Sequence, residues 1–205
     1  MKNGITSPHG NRLVNLVAGE ARITELKARA LSLDEIVLSS RQLCDFDMLA
    51  TGVFSPLTGF MGRSDYDAVV KHMRLATGEL FPLPVCLDVP RERAKTLAPG
   101  QSAALRDQEG LLLAVMHITD VWQPDREQEA LAVYGTTDCA HPGVHHLLKC
   151  CGEYYVGGTM EVVQLPVYLD SRQLRKSPAE VRDLYRKLSW HRVIGFHTRQ
   201  PIHRL

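Results

Sequence analysis

Ser177-Pro178-Ala179-Glu180 constrains the fold more than any other stretch of this chain. A serine followed by proline at the next position and glutamate at the third is a helix-opening capping box, with proline where its missing N–H costs nothing. Val181, Leu184, Tyr185 and Leu188 recur at i, i+3, i+4 and i+7, the period of an amphipathic helix. Arg192-Val193-Ile194-Gly195-Phe196 is then a short β-branched apolar run, which predicts a buried strand of an α/β sheet. One helix and one strand cannot bury their own apolar faces, so this unit predicts the opening of a larger α/β domain. Ligands of such sheets bind beyond the carboxyl ends of the strands, where His197, Thr198, Arg199 and Gln200 stand. On the residues alone, Thr198, Arg199 and His203 read equally as an anion site, suited to arginine's planar fork, or as a solvated turn.

The preceding residues have a different character. Residues 20–31 predict a helix with Ile23, Leu26, Ala30 and Leu31 on one side. Ser39 with Gln42 makes a second capping box, opening a helix that turns Leu43, Phe46 and Leu49 inward and closes near Gly52. A third helix is predicted from Ser64, with Asp65 and Asp67 at its positive end and Val69, Val70 and Met73 buried. After Pro82 the period changes: residues 84–89, 102–106 and 111–118 read as strands, the last two joined by a turn over Asp107-Gln108-Glu109-Gly110. Helices and short strands in one stretch indicate an α+β barrel-like unit, with a boundary between Val167 and Ser177.

Charge and composition narrow the function classes. Lys+Arg 24 against Asp+Glu 23 gives a formal net charge of +1, which provides no whole-chain attraction to nucleic acid or to an anionic membrane. Met1-Lys2-Asn3-Gly4 leads into polar sequence, and the longest aliphatic run, Leu111 to Met116, is far short of the roughly 30 Å of hydrocarbon in a bilayer. The expected compartment is the cytoplasm. The 5 cysteines, at scattered spacings without a CxxC pair, read as reduced thiols. Cys139, His141, His145 and His146 are of zinc-ligating types, but their spacing matches no standard zinc signature and His141-Pro142-Gly143 reads as a turn, so no metal site is assigned. Gly157-Gly158 is read as a turn ahead of a phosphate cradle.

His197-Thr198-Arg199-Gln200-Pro201-Ile202-His203-Arg204 resembles the Gln-Thr-Arg-Asn-Pro-x-His-x-x-His signature of the ATP sulfurylases, or sulfate adenylyltransferases. The resemblance extends in order through Ser7-Pro8-His9-Gly10, Leu38 to Asp45, Thr51 to Gly62, His141-Pro142-Gly143-Val144 and Glu153 to Gly158. Its most recognisable block, Thr51 to Gly62, has glycines and a proline at turn positions and is read as a packed loop that braces the active site. Two positions depart from the signature: His197 stands for glutamine and Gln200 for asparagine. The sequence ends at Leu205, one residue before the second histidine of the signature would fall.

The resemblance implies a PUA-like β-barrel domain with helices over residues 1–168, and the first helix-strand unit of a Rossmann-like α/β nucleotidylyltransferase domain over 169–205. It also implies attack by sulfate on the α-phosphorus of MgATP, giving adenylyl sulfate and pyrophosphate, in sulfur assimilation or dissimilation. Thr198, Arg199 and Gln200 would be catalytic, with His197, Arg199 and His203 binding sulfate and ATP. Magnesium would arrive with ATP, no tightly bound cofactor or nucleic acid is implied, and the full-length protein would be a homo-oligomer. The 205-residue chain would then be the N-terminal part of the enzyme and inactive alone. Two other readings stand beside it: a degenerate sulfurylase-like module, associated with an adenylylsulfate kinase domain, which the changes at 197 and 200 favour, and an RNA-binding PUA-like protein, which the balanced charge disfavours.

Overall fold

A computed structural model of the chain describes residues 5–168 and 173–198. The elements run α1 (Glu20–Ala30), β1 (Asp34–Val37), α2 (Ser40–Thr51), α3 (Arg63–His72), β2 (Leu87–Val89), α4 (Arg91–Ala94), β3 (Ser102–Arg106), β4 (Leu112–Trp122), α5 (Arg126–Tyr134), α6 (Pro142–His145), β5 (Tyr154–Val162) and α7 (Pro178–Lys187). The strands form one five-stranded sheet in the order β1-β3-β4-β5-β2. β1 runs parallel to β3 and every other pairing is antiparallel. The result is the mixed helix-and-sheet class read from the sequence.

Both sheet faces are covered near the middle, which is why Ala103-Ala104-Leu105 and Leu113 to Met116 are apolar without alternation. On one face, Leu105, Met116, Ile118, Val156 and Met160 pack with Phe46 and Leu49 of α2 and Val69 of α3. On the other, Ala104, Val115 and Val163 receive Leu26 and Ala30 of α1. α2 opens on the predicted capping box and closes at Gly52, which adopts the left-handed conformation (φ 87) that glycine takes without a Cβ clash.

Five local expectations change. Leu31 is 85% exposed, because it lies five residues beyond buried Leu26 and so roughly 140° round the helix. Met73 is 57% exposed: as the left-handed C-cap of α3 it turns off the buried stripe, and Tyr66 takes the inner place. The strand read over 84–89 shortens to Leu87–Val89. Pro84 has no N–H to give a ladder, and Val85 bonds to Met61 rather than to the sheet. The strand read over 111–118 is Leu112–Trp122, with a register shift between Ile118 and Asp120 where it bends along β5.

The fifth change concerns the C-terminal unit. α7 forms as predicted, with the Ser177–Glu180 capping box and Pro178 in its first turn, but none of its residues is buried. Residues 192–196 pair with no strand among the described residues, and Ile194 and Phe196 are 95% and 78% exposed. A strand exists only by exchanging backbone hydrogen bonds with neighbours. Described contacts of α7 include the Arg182 guanidinium donating to the Thr6 carbonyl at 2.6 Å, and Tyr185 stacks on Trp190. Backbone amides of 178–188 and 192–196 are therefore expected to exchange with solvent deuterium well before those of β3 and β4, as measured by peptide-resolved exchange; equal protection would contradict this packing. Among the described residues, no helix is long and apolar enough to cross a membrane.

Candidate functional site

The loop from Gly52 to Gly62 is stitched to β5 by its backbone. Gly158 N–H donates to the Phe60 carbonyl at 3.0 Å and Met160 N–H to the Thr58 carbonyl at 2.9 Å. A Cβ on Gly59 would lie 2.0 Å from the Gly158 oxygen, and one on Gly157 would lie 2.4 Å from the Met61 oxygen. The paired glycines are thus not a turn, as the sequence suggested, but strand positions kept bare so that a second backbone can lie against them. Val14 N–H donates to Ser55 Oγ at 3.0 Å, which in turn donates to the Gly52 carbonyl at 2.6 Å, tying the N-terminal segment to the same loop. The block reads as structural, as expected.

Behind this loop α2, β2, α5 and the segment 146–152 enclose a cavity of about 1060 Å³. Gln42 spans it: its Oε1 completes the helix cap at Ser39 N–H (2.9 Å), while Nε2 donates to the Asp88 carbonyl and carboxylate at 2.8 and 2.7 Å. The other Asp88 oxygen accepts from Gly152 N–H at 2.6 Å. Arg126 gives NH1 to the Leu147 and Cys151 carbonyls (2.6 and 3.2 Å) and NH2 to that of Gly152. One polar frame therefore joins α2, β2, α5 and the segment leading into β5.

Within it, Glu129 is 6% exposed and its Oε2 accepts from Tyr66 and Tyr155 hydroxyls at 2.9 and 3.0 Å. Burial raises the Glu129 carboxyl above its ordinary value, against the opposing pull of the two tyrosines and Arg126. Burial also raises Asp45, opposed by the Arg41 guanidinium, and it pushes the Cys86 thiol well up and that of Cys151 up to about 11. Burial thus shifts each of these groups toward its neutral form. Well below pH 4.5 Glu129 is protonated whether the chain is folded or not. Between 4.5 and the raised folded value only the unfolded chain releases the proton, so stability falls as pH rises. Glu129→Gln should consequently gain stability relative to the parent on going from pH 4 to pH 7. Urea midpoints of both proteins at the two pH values check this, and an unchanged gap contradicts it.

Of the residues singled out in the sequence, His197 and Thr198 lie exposed in the irregular segment after α7. Arg199, Gln200 and His203 fall outside the described residues. Among the described residues, no three His, Cys, Asp or Glu side chains are grouped as metal ligands. His141 caps α6 and packs on Tyr134 at 5.0 Å between ring centroids, while Cys139 packs against the Ala130–Val144–Leu147 cluster. The Glu129 frame was not legible in advance, since Arg126-Glu127-Gln128-Glu129 has the composition of a solvated helix face.

Residues 6–165 match the PUA-like domain family and residues 172–205 match the ATP-sulfurylase family. The chain belongs to the ATP sulfurylase family and carries its PUA-like domain. It is 44% identical over 202 residues to the sulfate adenylyltransferase of Mycosarcoma maydis, covering 97% of this chain and 35% of that protein. Against the sulfate adenylyltransferase of Symbiobacterium thermophilum it is 44% identical, covering 97% of this chain and 50% of the relative. Among solved structures, the hexameric APS kinase from Thiobacillus denitrificans superposes with a TM-score of 0.78 at 34% identity, covering 98% of this chain and 35% of that one. This sulfurylase-family chain thus spans between about a third and half the length of these relatives.

Proposed function

We propose that the protein carrying this chain is a sulfate adenylyltransferase, joining sulfate to the α-phosphorus of MgATP and releasing pyrophosphate. The observation that carries this reading is similarity to sulfate adenylyltransferases over 97% of the chain, reaching the segment with Thr198 and Arg199. In this reading residues 1–168 are the PUA-like domain and 169–205 begin a Rossmann-like α/β catalytic domain. The polar frame around Glu129 and the 52–62 loop bonded to β5 make the first domain a rigid platform for the second.

Sulfate is a weak nucleophile that carries no proton to remove at neutral pH, so the demand is for holding two anions in line and neutralising charge as it builds. Arg199 binds sulfate through its planar fork. Thr198 and Gln200 hydrogen-bond the reacting oxygens, and His197 and His203 donate to sulfate and the phosphates. Magnesium enters as part of the nucleotide substrate. Assembly into a homo-oligomer is part of the proposal, in keeping with the hexameric name of the structural relative.

His197 and Gln200, in place of glutamine and asparagine, favour a second reading in which the module is degenerate. Gln200 sets its amide one methylene further out, and a displacement of about 1 Å can cost about 100-fold in rate. Pyrophosphate release by the natural-length protein separates the two. Release that requires both sulfate and MgATP establishes the transferase; release at background supports the degenerate module.

A further inference from the structure

On the sheet face opposite the large cavity, α1 meets β3, β4 and β5 through an apolar seam with a polar rim. Leu26 and Ala30 fill the seam against Ala104, Val115 and Val163. Two residues from those positions, and so on the same face, stand Ser102, His117 and Glu161 on three adjacent strands. Arg22 and Arg29, flanking Leu26 on α1, reach over them.

With His117 neutral, the hydrogen bonds of this rim fix where each proton sits. Glu161 is held ionised down to a pKa of about 2, by the Arg22 guanidinium first and His117 second. An ionised carboxylate only accepts, so the 2.8 Å contact between His117 Nε2 and Glu161 Oε1 requires the proton on Nε2. In the neutral ring Nδ1 is then a lone-pair acceptor, and the 3.0 Å contact from Ser102 Oγ to Nδ1 is made by the serine hydroxyl donating. Arg29 NH2 donates at 2.8 Å to that same Oγ, which agrees with its proton pointing elsewhere. The order is serine hydroxyl to neutral imidazole to carboxylate, the arrangement that activates a hydroxyl for acyl transfer.

We propose that Ser102 is an activated nucleophile that takes activated carboxylic esters, with His117 as its base, Glu161 orienting the ring and Arg29 placed to receive the oxyanion. Ser102 Oγ bonds to the ester carbonyl carbon while its proton passes to His117 Nδ1. The ester C–O bond then breaks, the leaving oxygen takes that proton from His117, and an acyl-serine remains. Water repeats the sequence, releasing the carboxylic acid and restoring Ser102. Ser102 and His117 are half-buried, so a small ester can reach them. Arg22 also grips Glu161 through two hydrogen bonds (2.8 and 2.7 Å), which reduces the carboxylate's support for an imidazolium and sets the gain at the low end for a positioned base.

The chain is treated with p-nitrophenyl acetate and acetylation is followed residue by residue by mass spectrometry. Ser102 should acetylate about 100-fold faster than exposed Ser40 and Ser64, the lower end of what a positioned general base supplies. His117→Gln should bring Ser102 down to the rate of those two serines, and Glu161→Gln should lower it in part. Ser102 acetylating no faster than Ser40 and Ser64 in the unaltered chain overturns the proposal without reference to any variant. So does a folded His117→Gln chain, checked by circular dichroism, that keeps the fast rate. Neither outcome bears on the sulfurylase reading, because none of these residues belongs to the 197–203 motif on which that reading rests.

Discussion

Arg199→Ala is expected to reduce sulfate-dependent turnover by roughly 100- to 1,000-fold in the natural-length protein. One charged donor aimed at an anionic transition state contributes about 3 to 4 kcal/mol, and no neighbour of alanine's size can replace a planar guanidinium on a sulfate. The loss should appear in kcat as well as in the apparent affinity for sulfate, since charge at this centre grows as the reaction proceeds. Restoring the family residues with His197→Gln and Gln200→Asn should alter the rate only modestly, because histidine and glutamine both retain a donor. A degenerate module reverses the pattern: the parent is almost inactive, and Arg199→Ala leaves its residual rate unchanged.

Gly59→Ala should cost about 4 kcal/mol of folding stability, the upper end for a single substitution and a large fraction of a total of about 5 to 15 kcal/mol. The added Cβ would sit 2.0 Å from the Gly158 oxygen and 2.9 Å from the Thr159 Cα. Both are backbone atoms of a strand bonded on its other side to β4, so neither can swing away. Relief requires parting the 58–62 loop from β5, which forfeits the Gly158–Phe60 and Met160–Thr58 bonds and opens the core around Phe60 and Met61. Gly19→Ala, where nothing lies within 4 Å of the new Cβ, should cost at most about 1 kcal/mol at its helix N-cap. Urea melts of the two variants measure the difference. Equal midpoints would mean that the loop does not bear on the strand as described.

What the sequence disclosed, and what it hid, follows from the range of the forces involved. Capping boxes at Ser39–Gln42 and Ser177–Glu180 were legible because both partners lie within four residues. Buried Phe46 and Leu49 followed from helical period alone. Gly157 and Gly158 misled because their requirement comes from Gly59 and Met61, about a hundred residues away, and no local pattern separates a turn glycine from one that admits another backbone. Glu129 was hidden for the same reason: Tyr66 and Tyr155, brought in from α3 and β5, supply the hydrogen bonds that make its burial tolerable. The 192–196 run was read by composition, yet strand formation depends on neighbours that the run itself does not supply. The site was legible only as an ordered motif, with His197 and Thr198 exposed after α7 and the rest beyond the described residues.

Supplying adenylyl sulfate and pyrophosphate to the natural-length protein, and following ATP by luminescence, tests the central claim through the reverse reaction. ATP should appear only when both substrates and magnesium are present, and the signal should fall by roughly 100- to 1,000-fold in Arg199→Ala. No ATP from the unaltered, folded protein, or an undiminished signal from the arginine variant, would contradict the account.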